Sequence, residues 1–218
     1  MKLYAKFGWP VLLALVLTLA SCGGAGGGDA QIAGRGSKDK SGGMPGMKGM
    51  DHGSGGIANG MLTKNGKYSD ERFIDAMVPH HEGAVEMAQV ALKNAEHPEI
   101  KRLAKNIITT QKTEIEELKS IKNEEFDTSR VPMNMGQMKG MGMMTDPRTL
   151  ADRDPFDKAF IDSMIPHHQS AIEMAQVARD KSDNPKIEEL ATNIISAQKR
   201  EISQMERWRA QWYQEGSR

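Results

Sequence analysis

The sequence predicts an all-α protein, a four-helix bundle made of two duplicated helical hairpins behind a disordered N-terminal tether. Three observations carry this. Residues 73–118 align without gaps on residues 160–205 at an offset of 87, and about 25 of the 46 aligned pairs are identical, which marks an internal duplication. In each copy, apolar residues recur at steps of three and four along two successive stretches, the period of amphipathic helices. Each copy also carries a proline, Pro98 or Pro185, suited to the first position of its second helix.

The chain opens with a targeting pattern. Lys2 and Lys6 precede an almost purely apolar run at 11–20, too short to span a bilayer as a stable helix and typical of a secretory signal. Leu19-Ala20-Ser21 then leads into Cys22, the one cysteine of the chain. This is similar to the lipobox of bacterial lipoproteins and implies residues 1–21 as signal peptide, with lipid on the Cys22 thiol. The alternative is an ordinary signal peptide with a chance cysteine. A single cysteine excludes an internal disulfide framework, so the fold rests on its core. Residues 22–67 are rich in Gly, Ser and Lys without apolar periodicity and read as a flexible tether.

The first hairpin is expected over 68–122. Ser69 is a reasonable N-cap. Phe73, Met77, His80, Ala84, Met87 and Ala91 form one line of the helix, with Ile74, Val78, His81, Val85, Ala88 and Leu92 beside it. The second helix carries Ile100, Leu103, Ala104, Ile107, Ile108, Gln111, Ile115, Leu118 and Ile121. A linker over 123–155 follows, and the second hairpin, over 156–214, repeats the pattern through Met205, Trp208 and Trp212. Short turns make each hairpin antiparallel, and the two bury their apolar faces best against each other.

Charge excludes one class of partner. With 29 basic and 29 acidic side chains, nothing favours nucleic acid. Methionine is the outlier, at 16 residues. Met44, Met47 and Met50 lie in the tether with His52, and Met133, Met135, Met138, Met141, Met143 and Met144 crowd the linker among glycines. Methionines there make no sense as core. Clustered thioethers are soft ligands for Cu(I) where thiols would oxidise; the alternative is a low-complexity or adhesive segment.

Met77-Val78-Pro79-His80-His81 and its twin Met164-Ile165-Pro166-His167-His168 are the second candidate site. Both histidines of each pair fall on the apolar side of the helix. The internal proline either kinks the helix, freeing the carbonyl of Asp75 or Asp162, or begins a new one. Thioether and imidazole at three-residue spacing can converge on one ion, and that donor pair favours copper, Cu(I) above all, or silver. Glu86 and Glu173 project from another side and rank behind them. The competing reading makes the methionines core filling and the histidines core groups, satisfied by Gln111 and Gln198.

The segments 73–88 and 160–175, with their Met-x-Pro-His-His centres, resemble the domain-of-unknown-function family 305, which includes CopM-like periplasmic copper-binding proteins. The resemblance spans about 69–213. It implies a ferritin-like four-helix fold and, for some members, copper binding and resistance. It carries over to Met77, His80, His81 and Met87, then to Met164, His167, His168 and Met174.

The leading expectation is thus a non-catalytic lipoprotein, exported and membrane-anchored through Cys22, facing the periplasm or cell exterior. It would bind copper, Cu(I) by preference with Ag(I) as a mimic, and sequester it or hand it on, with a copper-exporting or copper-accepting protein as partner. The alternatives are a ferritin-like metal oxidase or peroxidase and a metal-free envelope lipoprotein. A carboxylate di-iron site would use Glu-x-x-His on two helices, and that pattern is absent from the chain.

Overall fold

The structure is a computed structural model that describes residues 60–132, 136 and 146–213. A small hairpin precedes the helices: β1 (Thr63–Lys64) pairs antiparallel with β2 (Lys67–Tyr68). Asn65 and Gly66 at its tip have φ of 55° and 76°, as the mirror-image turn of a two-residue hairpin requires. Leu62, just before it, is fully buried. Residues 63–68 therefore form structure where a tether to residue 67 was expected.

The first long helix, α1 (Asp70–Asn94), starts at Ser69, whose Oγ accepts from the Arg72 N–H at 3.4 Å. Asp70 and Glu71 place negative charge in its first turn, where the helix dipole favours it. The helix α2 (Pro98–Phe126) opens on its proline and stops at Asp127 in the left-handed conformation, φ 53°. A short α3 (Pro147–Ala151) is capped by Asp146, and its Leu150 is buried. The second copy gives α4 (Phe156–Lys181) and α5 (Pro185–Tyr213). Pro79 and Pro166 lie inside unbroken helices. Neither starts a new one, so the Phe-Ile-Asp segments belong to α1 and α4.

The two hairpins pack chiefly through α1 against α4, with a slighter contact between α2 and α5. Two apolar clusters fill the bundle. One joins the start of α1 (Phe73, Met77) to the end of α2 (Leu118), the end of α4 (Met174) and the start of α5 (Leu190). The other joins the end of α1 (Met87) to the start of α2 (Leu103), the start of α4 (Met164) and Met205 of α5. The helix directions are therefore up, down, down, up. The segment between Phe126 and Phe156 joins opposite ends of the bundle, the single long crossover of ferritin-like folds.

Polar contacts fix this arrangement. Asp157, in the first turn of α4, accepts from the Glu96 and His97 backbone N–H groups at 3.1 and 2.8 Å and from His97 Nδ1 at 2.6 Å. It ties α4 to the turn of the first hairpin. The His97 ring also stacks on Trp212, with centroids 3.8 Å apart. Asp75 of α1 pairs with buried Lys122 of α2, whose ammonium also donates to the Arg130 carbonyl at 2.8 Å. The twin residues repeat the pair at the surface, with Arg209 Nε 2.6 Å from Asp162 Oδ1. Among the described residues no helix is long and apolar enough to cross a membrane.

Candidate metal centre

Between the two apolar clusters lies a polar layer. The antiparallel crossing of α1 and α4 brings His80, His81, His167 and His168 together there, each nearly or fully buried. His80 and His167 touch, with ring centroids 3.8 Å apart. Within each pair the rings stand 6.4 Å (His80–His81) and 6.3 Å (His167–His168) apart.

The proline in each motif has a local consequence. It brings no N–H to the carbonyl four residues back. The adjoining histidines nonetheless stay in helical register and face the partner helix rather than solvent.

Partners of these rings come from the other helices. His168 Nε2 donates to Glu201 Oε2 of α5 at 2.7 Å. His81 Nε2 lies 2.9 Å from Glu114 Oε2 of α2, an ion-pair distance with its N–H off line. Glu114 and Glu201 are twins at the offset of 87. His80 Nε2 meets Ser170 Oγ at 2.7 Å, and that hydroxyl donates to the His167 carbonyl at 2.8 Å.

Other ring nitrogens have no hydrogen-bond partner: Nδ1 of His80, His81 and His168, and both nitrogens of His167. The side-chain amides of Gln111 and Gln198 are likewise buried without partners. The expectation that these glutamines satisfy the histidines is therefore corrected; Glu201 and Ser170 take that place for His168 and His80, and Glu114 stands at ion-pair distance from His81. Buried polar groups are paired in the great majority of cases, so this concentration of bare nitrogens calls for a ligand.

Electrostatics agree with that reading. Burial pushes His80 well below the usual imidazole range, and His167, His81 and His168 push the same way. Burial likewise lowers His167, reinforced by His168 and His81 and opposed by the His80 backbone. Neutral rings keep the lone pairs that a metal needs. Among the described residues no group of three or more His, Cys, Asp or Glu side chains could hold a metal ion. An ion in this layer would draw on thioethers as well, and the nearby supply is Met77, Met87, Met164 and Met174, all fully buried.

The crossing also decides how those methionines group. Met77 shares its cluster with Met174, and Met87 shares the other with Met164. Each of these pairs takes one thioether from each copy and flanks the histidine layer from one end, and the second cluster also holds Met205 of α5. Glu86 and Glu173 are half-buried. Cys22, Met44, Met47, Met50, His52, Met133, Met135, Met138, Met141, Met143 and Met144 lie outside the described residues.

The family model for a domain of unknown function, DUF305, matches residues 24–122 and 70–209. The chain belongs to the DUF305 family. Solved structures of CopM are similar to it. The Cu(II)-bound form is 42% identical with a TM-score of 0.64, and the Cu(I)-bound form is 40% identical with a TM-score of 0.61. The Ag-bound form obtained by co-crystallization is 40% identical with a TM-score of 0.61. Each match covers 67% of this chain and 99% of CopM. Uncharacterized protein L153 of Acanthamoeba polyphaga mimivirus is 43% identical over 49 residues, 22% of this chain. The match spans only 32% of that curated relative.

Sequence reasoning passed over Glu114, Glu201 and Ser170. A signal for the glutamates was present: Gln111-Lys112-Thr113-Glu114-Ile115 recurs as Gln198-Lys199-Arg200-Glu201-Ile202, which puts amide and carboxylate on one helical face. Ser170 had none, because its twin is Gly83.

Proposed function

We propose that this DUF305 protein is a non-catalytic copper-binding protein outside the cytoplasm. It sequesters copper or hands it on, and so contributes to copper tolerance or homeostasis. One observation carries the reading: a buried layer of four histidines with five unpartnered ring nitrogens besides that of His81 Nε2, flanked by the buried Met77, Met87, Met164 and Met174. Imidazole with thioether is a soft donor set that suits copper. Similarity to CopM, which has been solved with Cu(I), Cu(II) and silver bound, supports the metal. The preference is for Cu(I), with Ag(I) as a mimic, because soft thioethers favour the monovalent ions. The methionines of the tether and linker form a second, separate ligand reservoir. Lipidated Cys22 holds the protein at a membrane, where it exchanges copper with an exporting or accepting protein.

The test is competition. The full chain is titrated with Cu(I) against a chromogenic chelator, alongside a variant with His80, His81, His167 and His168 all replaced by Ala. The wild type is expected to take copper from the chelator and the variant to retain only what the Met-rich segments hold. A wild type that cannot compete with a weak chelator overturns the copper reading. Undiminished binding by the variant removes the helical layer from it. Catalytic turnover of peroxide or dioxygen by the copper-loaded protein would replace the binding role with an enzymatic one.

A further inference from the structure

The copper reading leaves open which nitrogen of each ring faces an ion. We propose that Glu114 and Glu201 are positioning residues that hold His81 and His168 as Nε2–H tautomers, so that each ring presents a bare Nδ1 to copper inside the bundle. This rests on the copper-binding reading above.

A carboxylate accepts hydrogen bonds and cannot donate one. The Glu201 oxygen 2.7 Å from His168 Nε2 therefore requires the proton on Nε2, and in the neutral ring Nδ1 is then the lone pair. Nδ1 of His168 has no other partner. In the first copy, Glu114 Oε2 stands 2.9 Å from His81 Nε2, at ion-pair distance but off the N–H line, and Nδ1 of His81 is again without a partner. The duplication thus delivers the same carboxylate to the same ring nitrogen twice. Metal-binding histidines are commonly oriented in this way by a carboxylate on the far nitrogen.

Burial makes the contact asymmetric. Both histidine side chains are 0% exposed, whereas Glu114 and Glu201 keep 10% and 17% of theirs accessible. Each carboxylate thus reaches from the edge of the bundle to the outward nitrogen of its ring and leaves the other nitrogen inside. Ser170 does the same for a third ring. Its one hydroxyl proton goes to the His167 carbonyl, so its oxygen accepts from His80 Nε2. His167 is the exception, since Gly83 stands where a second serine would be.

The test compares the wild type, the double variant Glu114→Ala/Glu201→Ala and the double variant Glu114→Gln/Glu201→Gln, all as full chains. Long-range nitrogen-15 NMR of the copper-free proteins reads the tautomer of each histidine, and Cu(I) competition reads affinity. The wild type is expected to show Nε2–H at His81 and His168. The alanine variant should lose that single tautomer at both rings and bind copper about 10–100-fold more weakly. The glutamine variant, whose amide oxygen accepts the same hydrogen bond, should restore the tautomer and most of the affinity. Circular dichroism of the glutamine variant serves as the folding control. Wild-type affinity with unchanged tautomers in the alanine variant overturns the positioning role while copper binding stands. Failure of the wild type itself to bind Cu(I) overturns both.

Discussion

Replacing Lys122 by Met removes a charge from the interior while keeping most of the volume. Asp75 is then left without its ammonium partner. Its carboxyl is 6% exposed as a residue, and burial already raises its pKa against the opposing pull of Lys122. Two outcomes are open to it. Remaining charged costs about 3–5 kcal/mol, the usual penalty for breaking a buried pair. Taking up a proton is limited by the ordinary carboxyl pKa of about 3.9, and at 1.36 kcal/mol per pH unit costs about 4 kcal/mol at pH 7. At about pH 5 the same proton costs only about 1.5 kcal/mol. Lys122→Met should therefore lower stability by about 3–4 kcal/mol near neutrality and by less than half of that near pH 5. The duplication supplies an internal control. Arg209 is 53% exposed, and Asp162 keeps Lys158 at 2.8 Å. Arg209→Met should therefore cost only about 0.2–1 kcal/mol at either pH. Urea unfolding of the copper-free protein measures both, read as midpoint shifts at constant slope. Equal losses for the two variants, or a Lys122→Met loss that does not shrink toward pH 5, would refute the reasoning.

Two further predictions concern the histidine layer and its thioethers. His80 and His167 are held neutral by burial, so the unfolded chain takes up protons at a pH where the folded protein does not. Their contribution to stability is complete above the unfolded imidazole pKa of about 6.5 and is lost as pH falls toward their lowered folded values. The thermal midpoint of the copper-free protein should drop between about pH 7 and about pH 5, and a His80→Asn/His167→Asn variant with the same slope would refute this assignment. Met164, fully buried at one edge of the layer, should cost about 2–5 kcal/mol as Ala but less than about 1.5 kcal/mol as Leu. Met164→Leu should therefore keep the denaturation midpoint while weakening Cu(I) binding, and unchanged affinity would exclude this thioether as a ligand.

Much of the fold was legible because it is encoded locally. Ser69, Pro98 and Pro185 act within one turn of the helices they begin, and the duplication needed only the alignment of residues 73–118 on 160–205. The hairpin at Thr63–Tyr68 was equally local, signalled by Asn65-Gly66; the polar composition around that pair hid it. The site was legible only in part. Helical periodicity places His80 and His81 on a buried face but does not say what meets them there. Gln111 looked the natural partner because it interrupts an apolar stripe, whereas Glu114 was passed over. The difference lies in which side chain reaches the ring from α2. That depends on interhelical distance, which spacing does not encode. The pairing of Met77 with Met174 rather than with Met87 has the same origin, because it follows from the direction in which α4 crosses α1.

That crossing also explains where the two copies have kept their residues and where they have not. The Met-x-Pro-His-His pairs, the second methionines and Glu114/Glu201 are identical in both, and these are the groups that the antiparallel crossing brings around one layer. The contacts to surrounding structure have diverged. Lys122 is buried and holds Arg130, while its twin Arg209 is exposed. His97 is bound by Asp157, while its twin Asn184 caps a turn. Ser170 fixes His80, while its twin Gly83 offers nothing to His167. The copies also keep Phe73/Phe160, Leu103/Leu190, Ile107/Ile194 and Gln111/Gln198, so the retained interior extends into the packed core on both sides of the histidines. Of the changes around them, the serine-for-glycine exchange alone alters which ring nitrogens are free, and it leaves His167 able to bind an ion through either of them.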